Sequence, residues 1–294
     1  MKLIESKAEY IPQEEGLEGI YKQIELAGRT AYHSLDKITP DSAKDFVDRM
    51  IKSKHGAALE HGTIYLFIPQ ETNYEVFERY IKNNYSHTFE ILILPRPKGL
   101  YVVTNYRVLI ENNWLDDLKY LCSPTEFHEK RYTMRFTCSR AIAQELTRHR
   151  VFSFLMESQR YINYSKERHG GEITYIIPSW MPQKERHIDT SNGWGVMNGE
   201  KLYAFLGKAE RHYFYLLDSG LQPQQARDVL PNATKTELIM TGFASDWKRL
   251  LRLRLFEETG KVHPDMKVLM EKLKVECIKS EIWDDIINSG CKEI

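Results

Sequence analysis

The sequence has few cysteines and no excess of charge of either sign. Four cysteines are spread over 294 residues (Cys122, Cys138, Cys277 and Cys291), and none belongs to a Cys-x-x-Cys pair. This spacing indicates reduced thiols in a cytoplasmic protein and predicts no metal centre. Lysine and arginine number 41, as do aspartate and glutamate. The resulting net charge of zero excludes a surface that is basic throughout, as binding to nucleic acid through phosphates requires.

Long apolar runs and glycine-rich phosphate loops are also absent. The longest aliphatic run covers residues 91–94, far short of the roughly 20 residues that a membrane span requires. The N-terminus becomes charged too early for a signal peptide, and neither Gly-x-Gly-x-x-Gly nor a P-loop motif occurs. We therefore expect a soluble cytoplasmic protein that has no membrane partner.

The apolar content, 42% of the residues, is sufficient for a substantial core. Residue alternation predicts strands at 63–68, 101–106, 131–137 and 234–241. Helical spacing predicts helices at 20–27, 42–51, 72–83, 201–217 and 244–254, and Ser139 is expected to cap a helix that runs to about Arg150. Because strands and helices do not alternate regularly, we predict an α+β fold, with an antiparallel-type sheet and packed helices, in one catalytic domain over residues 1–294.

Positive charge is concentrated in one part of the chain. Between residues 129 and 169 there are nine basic and four acidic residues, an excess of five positive charges. At the centre lie Arg148, His149 and Arg150, which would splay about 100° apart at a helix end. A solvated helix face is the ordinary explanation of such a run, but three diverging polar groups favour ligands or another subunit on several sides. Arginine suits phosphate because its planar fork donates two parallel hydrogen bonds.

Three further positions have the same kind of chemistry. Glu60 and His61 lie directly before a predicted strand, with His55 close by, although a single histidine is more often structural. Arg227 precedes an apolar stretch, and a salt bridge with Asp228 is its structural alternative. Packing of an amphipathic helix explains the leucines at 250–253 but not Arg254.

Taken together, the motifs resemble those of the flavin-dependent thymidylate synthases. The segment RHRVFSFLMESQRY at 148–161 matches the family's Arg-His-Arg, Ser and Arg-Tyr signature. GRTAY at 28–32, HGAALEH at 55–61 and ARDVLP at 226–231 follow in the family's order. The resemblance covers roughly residues 28–254.

The resemblance implies the family's fold and reaction. The substrate dUMP becomes dTMP, methylenetetrahydrofolate gives the carbon, and NADPH gives reducing equivalents through FAD. The implied assembly is a homotetramer whose active sites are shared between subunits. The expected partners are therefore dUMP and folate, with no nucleic acid and no membrane.

The same resemblance assigns roles to individual residues. The positions implied for FAD are His55, Ala57, Glu60, Arg148, His149, Arg150 and Arg249. The positions implied for dUMP are Glu145, Glu157, Ser158, Arg160, Arg227 and Arg254. Among these, Arg160 and Arg227 would hold the 5′-phosphate. Ser158 and Arg254 are the implied catalytic positions, Ser158 as a binding hydroxyl and Arg254 beside the pyrimidine.

Several residues depart from the family's commonest pattern. Leu155 and Met156 stand where Asn-Glu often occurs, Glu145 replaces a glutamine, and Arg249 replaces an asparagine. Phe243 and Ser245 replace the ends of an Asn-Ala-Arg segment that usually contacts flavin. Two alternatives therefore remain, namely a catalytically altered relative that binds a nucleotide and a non-enzymatic nucleic-acid-binding module.

Overall fold

The computed structural model describes residues 1–72, 74–91, 98–160, 162–166, 170–181 and 198–290. The strands are β1 Lys2–Ile4, β2 Lys7–Ile11, β3 Thr63–Pro69, β4 His87–Ile91, β5 Gly99–Asn105, β6 Arg131–Ser139, β7 Ser153–Met156, β8 Thr174–Ile176 and β9 Lys235–Phe243. The helices are α1 Gly16–Ala31, α2 Ser42–Lys52, α3 Gly56–Leu59, α4 Tyr74–Ile81, α5 Tyr106–Asn112, α6 Arg140–Leu146, α7 Asn198–Asp218, α8 Pro223–Ala226, α9 Ala244–Arg254, α10 Pro264–Lys279 and α11 Trp283–Ile287.

The strands form two antiparallel sheets and one short parallel pair. The four-stranded sheet has the order β2-β6-β9-β7, the three-stranded sheet has the order β3-β5-β4, and β1 pairs with β8 in parallel. The expectation of helices packed with antiparallel sheet is thereby confirmed. No helix within the described ranges is long and apolar enough to cross a membrane.

Each antiparallel sheet has its own apolar core. On the four-stranded sheet, buried Phe136 and Met240 pack with Trp247 of α9 and Leu269 of α10. The three-stranded sheet packs with α1 and α2 in a second cluster, to which α1 contributes Ile20 and Ile24, spaced one turn apart. A third cluster lies around α7.

A buried polar cluster joins the two antiparallel sheets. His61, which is fully buried before β3, shares a hydrogen bond between its Nδ1 and Oγ1 of Thr241 on β9, 2.8 Å apart. Oγ1 of Thr241 also lies 2.8 Å from Oγ1 of Thr133 on β6. Burial, with a smaller effect from the charge of Arg131, lowers the pKa of His61 to about 3. His61 is therefore neutral at pH 7 and connects the sheets without carrying charge.

Two predicted elements end earlier than the sequence patterns indicate. The helix that Ser139 caps, by accepting a hydrogen bond from the Ile142 amide, ends at Leu146 and not near Arg150. The strand predicted over 101–106 ends at Asn105, whose side chain accepts a hydrogen bond from the Val108 amide and starts α5. In both places the chain changes direction at a local capping or turn interaction.

The C-terminal region contains a helix that the sequence analysis did not predict. Within α10, the positions Met266, Leu269, Met270 and Leu273 are all buried against the four-stranded sheet. Their spacing of three and four residues is the ordinary signal of an amphipathic helix, and Pro264 occupies the first turn.

The cysteines Cys122, Cys138 and Cys277 are free thiols, and Cys291 lies outside the described residues.

Candidate active site

The Arg-His-Arg motif lies in a turn and not on a helix, so the expectation that its side chains splay from a helix end was wrong. After α6 ends, the amides of Arg148 and His149 donate to the carbonyls of Glu145 and Leu146, each three residues earlier. The chain must reverse here because β7 begins at Ser153 and pairs antiparallel with β9. The side chains of Arg148 and Arg150 are exposed, whereas that of His149 is partly buried.

His149 faces the end of α9. Nε of Arg254, the last residue of that helix, donates a hydrogen bond of 3.1 Å to Nε2 of His149. Burial, followed by the positive charges of Arg254 and Arg249, lowers the pKa of His149 to about 4. The structure thus brings together two sites that the sequence analysis selected separately, and Arg249 lies exposed on the same helix.

The segment from His55 to Glu60 contacts the end of α1. Nδ1 of His55 and the hydroxyl of Tyr32 are 2.8 Å apart, and their rings stack at 6.4 Å. Ala57 is exposed on the short helix α3, and Glu60 lies at its end, where Arg107 Nη1 donates to Glu60 Oε1 at 2.6 Å. Two of the sequence motifs, GRTAY and HGAALEH, therefore meet at one surface.

The glycine of the first of these motifs has a packing reason. A Cβ atom at Gly28 would lie 2.5 Å from the ring of Phe46 on α2. A side chain at this position would meet Phe46, so glycine allows the close approach of α1 and α2.

Glu157 is buried at the end of β7, and its carboxylate is occupied by internal partners. One carboxylate oxygen, Oε2, accepts hydrogen bonds from Lys235 Nζ at 3.0 Å and from the Glu237 amide at 3.1 Å. Burial alone lowers the pKa of Lys235, but the carboxylates of Glu157 and Glu237 outweigh it and raise the pKa above its ordinary value. Both of these hydrogen bonds use Oε2, so internal partners hold this carboxylate in place.

Ser158 is held by the end of α1. Its amide donates to the carbonyl of Ala31 at 3.0 Å, and its Oγ accepts a weak hydrogen bond from the amide of Arg160 at 3.4 Å. Within the described residues, no histidine or carboxylate forms a hydrogen bond with this hydroxyl. The side chain of Arg160 is exposed, and Tyr161 lies outside the described residues.

Arg227 is partly buried in a turn of 3-10 helix that follows α8. In the described part of the chain it forms no ion pair with Asp228 or another acid, so the salt bridge that was its alternative is not formed there. Burial, with a smaller effect from the charge of Arg227, lowers the pKa of Arg140, and Tyr164 and Glu157 oppose this shift. Arg140 and Glu145 both lie on α6, and Glu145 is partly exposed one turn before Arg148.

A small cavity adjoins the loop that carries Ser158. Its volume is about 210 Å³, and its walls include His33, Glu157, Tyr164 and Lys235. The sequence analysis did not select Lys235 or Tyr164. Lys235 is the first residue of β9 and lies two residues before Glu237, and this local pattern gives no signal of a buried ion pair with Glu157.

Phe243 and Ser245, two of the departures from the family's pattern, take part in a local network. The ring of Phe243 stacks on His87 with centroids 3.6 Å apart and an angle of 2° between the planes. Nδ1 of His87 lies 2.6 Å from Oε2 of Glu129, and the other oxygen of Glu129 accepts from the Ser245 amide at 3.0 Å. The start of α9 is therefore packed against β4 through an aromatic pair.

Comparison with known families gives the class of this protein. The model of the thymidylate synthase complementing protein family matches residues 106–279, which is more than half of the chain. The chain belongs to this family. The matched segment contains the Arg-His-Arg turn, Ser158, Arg227 and Arg254.

Individual relatives support the same assignment. The chain is 24% identical to a flavin-dependent thymidylate synthase of Corynebacterium aurimucosum over 291 residues, which cover 95% of this chain and 85% of that relative. It is 34% identical to the enzyme of that name from Corynebacterium efficiens over 146 residues, covering 46% and 54% of the two chains. The match to the Pyrococcus furiosus enzyme of the same name is 32% identical and covers 41% and 44%. The latter two alignments thus span about half the length of those relatives.

A solved structure provides a more distant comparison. It is that of the UMP/dUMP methylase PolB from Streptomyces cacaoi bound with 5-Br dUMP, and it aligns with 98% of this chain and 96% of its own. The TM-score is 0.44 and the identity is 16%. This likeness is too distant to support a conclusion about the fold or the ligand.

Proposed function

We propose that this chain is a flavin-dependent thymidylate synthase that methylates dUMP to dTMP. Methylenetetrahydrofolate would give the carbon, and NADPH would give the reducing equivalents through FAD. The observation that carries the proposal is the contact between His149 and Arg254, because it joins the family's Arg-His-Arg signature to the end of α9. We further propose that residues 1–294 act as one catalytic domain, with the family's fold, and assemble as a homotetramer.

The residues proposed for FAD have chemistry that fits a dinucleotide. Arg148 and Arg150 are exposed, and neither is paired with a carboxylate within the described ranges. They therefore offer two guanidinium groups to a diphosphate. Bound FAD would supply the redox chemistry of the reaction, and the protein would supply its orientation and electrostatic environment.

Glu60 can accept hydrogen bonds from a cofactor, and an adjacent arginine reduces its repulsion of an anionic one. Arg107 offsets part of its charge through Oε1, at 2.6 Å, and is shared with Glu111. The carboxylate is then suited to a ribose hydroxyl, as in other dinucleotide sites. His55, held by Tyr32, and exposed Ala57 complete this side of the proposed site, and Arg249 is the proposed contact from α9.

The residues proposed for dUMP divide into three groups. Arg160 and Arg227 would hold the 5′-phosphate, and the Ser158 hydroxyl would bind beside them. Arg254 would meet the pyrimidine, where a guanidinium stabilises negative charge that develops on the ring during the reaction. Glu145 would bond the uracil imide, and Glu157 would fix the backbone that presents Ser158.

Purified protein tests the proposal directly. A yellow preparation that absorbs at about 450 nm is expected if FAD is bound. Release of tritium from 5-tritiated dUMP should then require both NADPH and methylenetetrahydrofolate. Protein that stays colourless after incubation with FAD, and releases no tritium, would refute the function.

A second candidate function is supported by the stack of Phe243 on His87. Phenylalanine lacks the amide that the family often has at this position, and the stacked rings occupy the start of α9. A relative that binds dUMP but has lost catalysis would show tight dUMP binding without tritium release. The Phe243→Asn variant would then gain flavin affinity over the unmodified chain.

A further inference from the structure

The contact between His149 and Arg254 joins parts of the chain that are 105 residues apart. β7 follows the turn that holds His149, and β9 leads into α9, which ends at Arg254. Because Ser153 of β7 pairs with Thr241 of β9, the sheet register fixes the distance between the turn and the helix. The contact is thus built into the four-stranded sheet and not made by two mobile surface groups.

The hydrogen bond defines the protonation state of the histidine. Arg254 Nε can only donate, so Nε2 of His149 must accept and must carry no proton. The proton of the neutral ring is therefore on Nδ1. A doubly protonated ring would lose the acceptor and repel both Arg254 and Arg249, the charged groups that act on this histidine.

Arg254 has a strong donor group that no acid in the described residues neutralises. Its Nε is used by His149, whereas no carboxylate in the described part of the chain pairs with its terminal amino groups. A long arginine side chain loses conformational entropy when a ligand fixes it. A hydrogen bond at Nε that restricts the guanidinium before the ligand arrives reduces that loss.

We propose that His149 is a positioning residue that orients the guanidinium of Arg254 toward the substrate nucleotide. This inference rests on the proposed function, because it takes the pyrimidine of dUMP as the ligand of Arg254. It assigns to His149 an action through Arg254, in addition to the flavin contact that the resemblance implies. His149→Phe keeps an aromatic ring but removes the acceptor, and FAD content measured alongside separates this role from the flavin contact.

A double-mutant cycle tests the proposal on the FAD-loaded protein. The variants are His149→Phe, Arg254→Gln and the double variant, and dUMP affinity is measured by equilibrium titration. His149→Phe should weaken dUMP binding about tenfold, as expected for a lost hydrogen bond to a charged group. In the Arg254→Gln background the same change should have almost no effect. An equal loss of affinity in both backgrounds would overturn the proposal.

A second variant keeps the test decisive if the phenylalanine disturbs the turn. Glutamine also carries an acceptor oxygen, so His149→Gln should recover at least half of the lost affinity on a logarithmic scale. No recovery, with normal FAD content, would count against the proposal. Arg252→Gln is the matched control, because Arg252 lies on α9 and pairs with Glu258, and its dUMP affinity should be unchanged.

Different results would contradict the proposed function and the role of His149. Unmodified protein that binds FAD but not dUMP would contradict the proposed function, and the role of His149 would fall with it. Unmodified protein that binds dUMP, together with additive effects in the cycle, would leave the function standing and refute the role of His149 alone.

Discussion

The buried neutral state of His61 makes the folded protein less stable as the pH falls. In the unfolded chain a histidine titrates near pH 6.5, whereas in the folded protein the pKa of His61 is lowered to about 3. The unfolded state therefore binds more protons between these values, and the free energy of unfolding falls as the pH decreases from about 6.5 to about 3. Below about pH 3 the histidine is protonated in both states, so its contribution to the free energy of unfolding no longer changes.

The size of this effect follows from the two pKa values. At pH 5 the unfolded histidine is protonated, 1.5 units below its pKa of about 6.5, while the folded one is still neutral. At about 1.4 kcal/mol per unit, the loss between pH 7 and pH 5 is about 2 kcal/mol. Burial also lowers the pKa values of His149 and His128, so both residues make the folded protein less stable as the pH falls. The total loss in the free energy of unfolding is therefore larger than the contribution of His61 alone.

Replacement of His61 isolates its contribution. His61→Asn keeps a polar group that can reach Thr241 but cannot titrate in this range. Urea unfolding at pH 7 and pH 5, at one protein concentration, should show a pH-dependent loss about 2 kcal/mol smaller in the variant than in the unmodified chain. His212→Asn, at an exposed position on α7, is the control and should leave the pH dependence as it was. Equal pH dependence in all three proteins would refute the burial of a neutral His61.

Three further predictions concern charged groups. Arg227→Ala should weaken dUMP binding by about 1.5–3 kcal/mol, as for a lost charged hydrogen bond, with normal FAD content; unchanged affinity in a titration would exclude the phosphate role. Lys235→Met should lower the free energy of unfolding by about 3 kcal/mol, because it leaves the buried carboxylate of Glu157 without its counter-ion. Lys7→Met, which removes an exposed pair, is the control for that measurement. Arg107→Met should reduce FAD occupancy, measured from absorbance, whereas Glu111→Gln should not, since Arg107 donates to the Glu60 carboxylate and Glu111 pairs with Arg107 alone among the described residues.

Local patterns in the sequence were sufficient to predict much of the fold. The alternation of Ile64, Leu66 and Ile68 matches their burial in β3, and the predicted start of α9 at Ala244 is confirmed. α10 was missed although its apolar spacing was present. The signals for β3, α9 and α10 all come from residues that are close together along the chain, so they can be read from the sequence alone.

The ends of helices and strands were harder to predict from the sequence because contacts with distant parts of the chain determine them. The helix after Ser139 was extended too far, since nothing local shows that β7 must begin at Ser153 and pair with β9. The same limit applies within the site. The pairs His149 with Arg254 and Glu157 with Lys235 depend on sheet register, so residue type and spacing along the chain could suggest the members but not the pairs.

Tritium release from 5-tritiated dUMP is the most direct test of the proposed thymidylate synthase activity. With the FAD-loaded protein, NADPH and methylenetetrahydrofolate, we expect release of tritium to water together with formation of dTMP, and neither with protein from which FAD has been removed. Protein that binds both FAD and dUMP, yet forms no dTMP under these conditions, would contradict the claim that this chain is a thymidylate synthase.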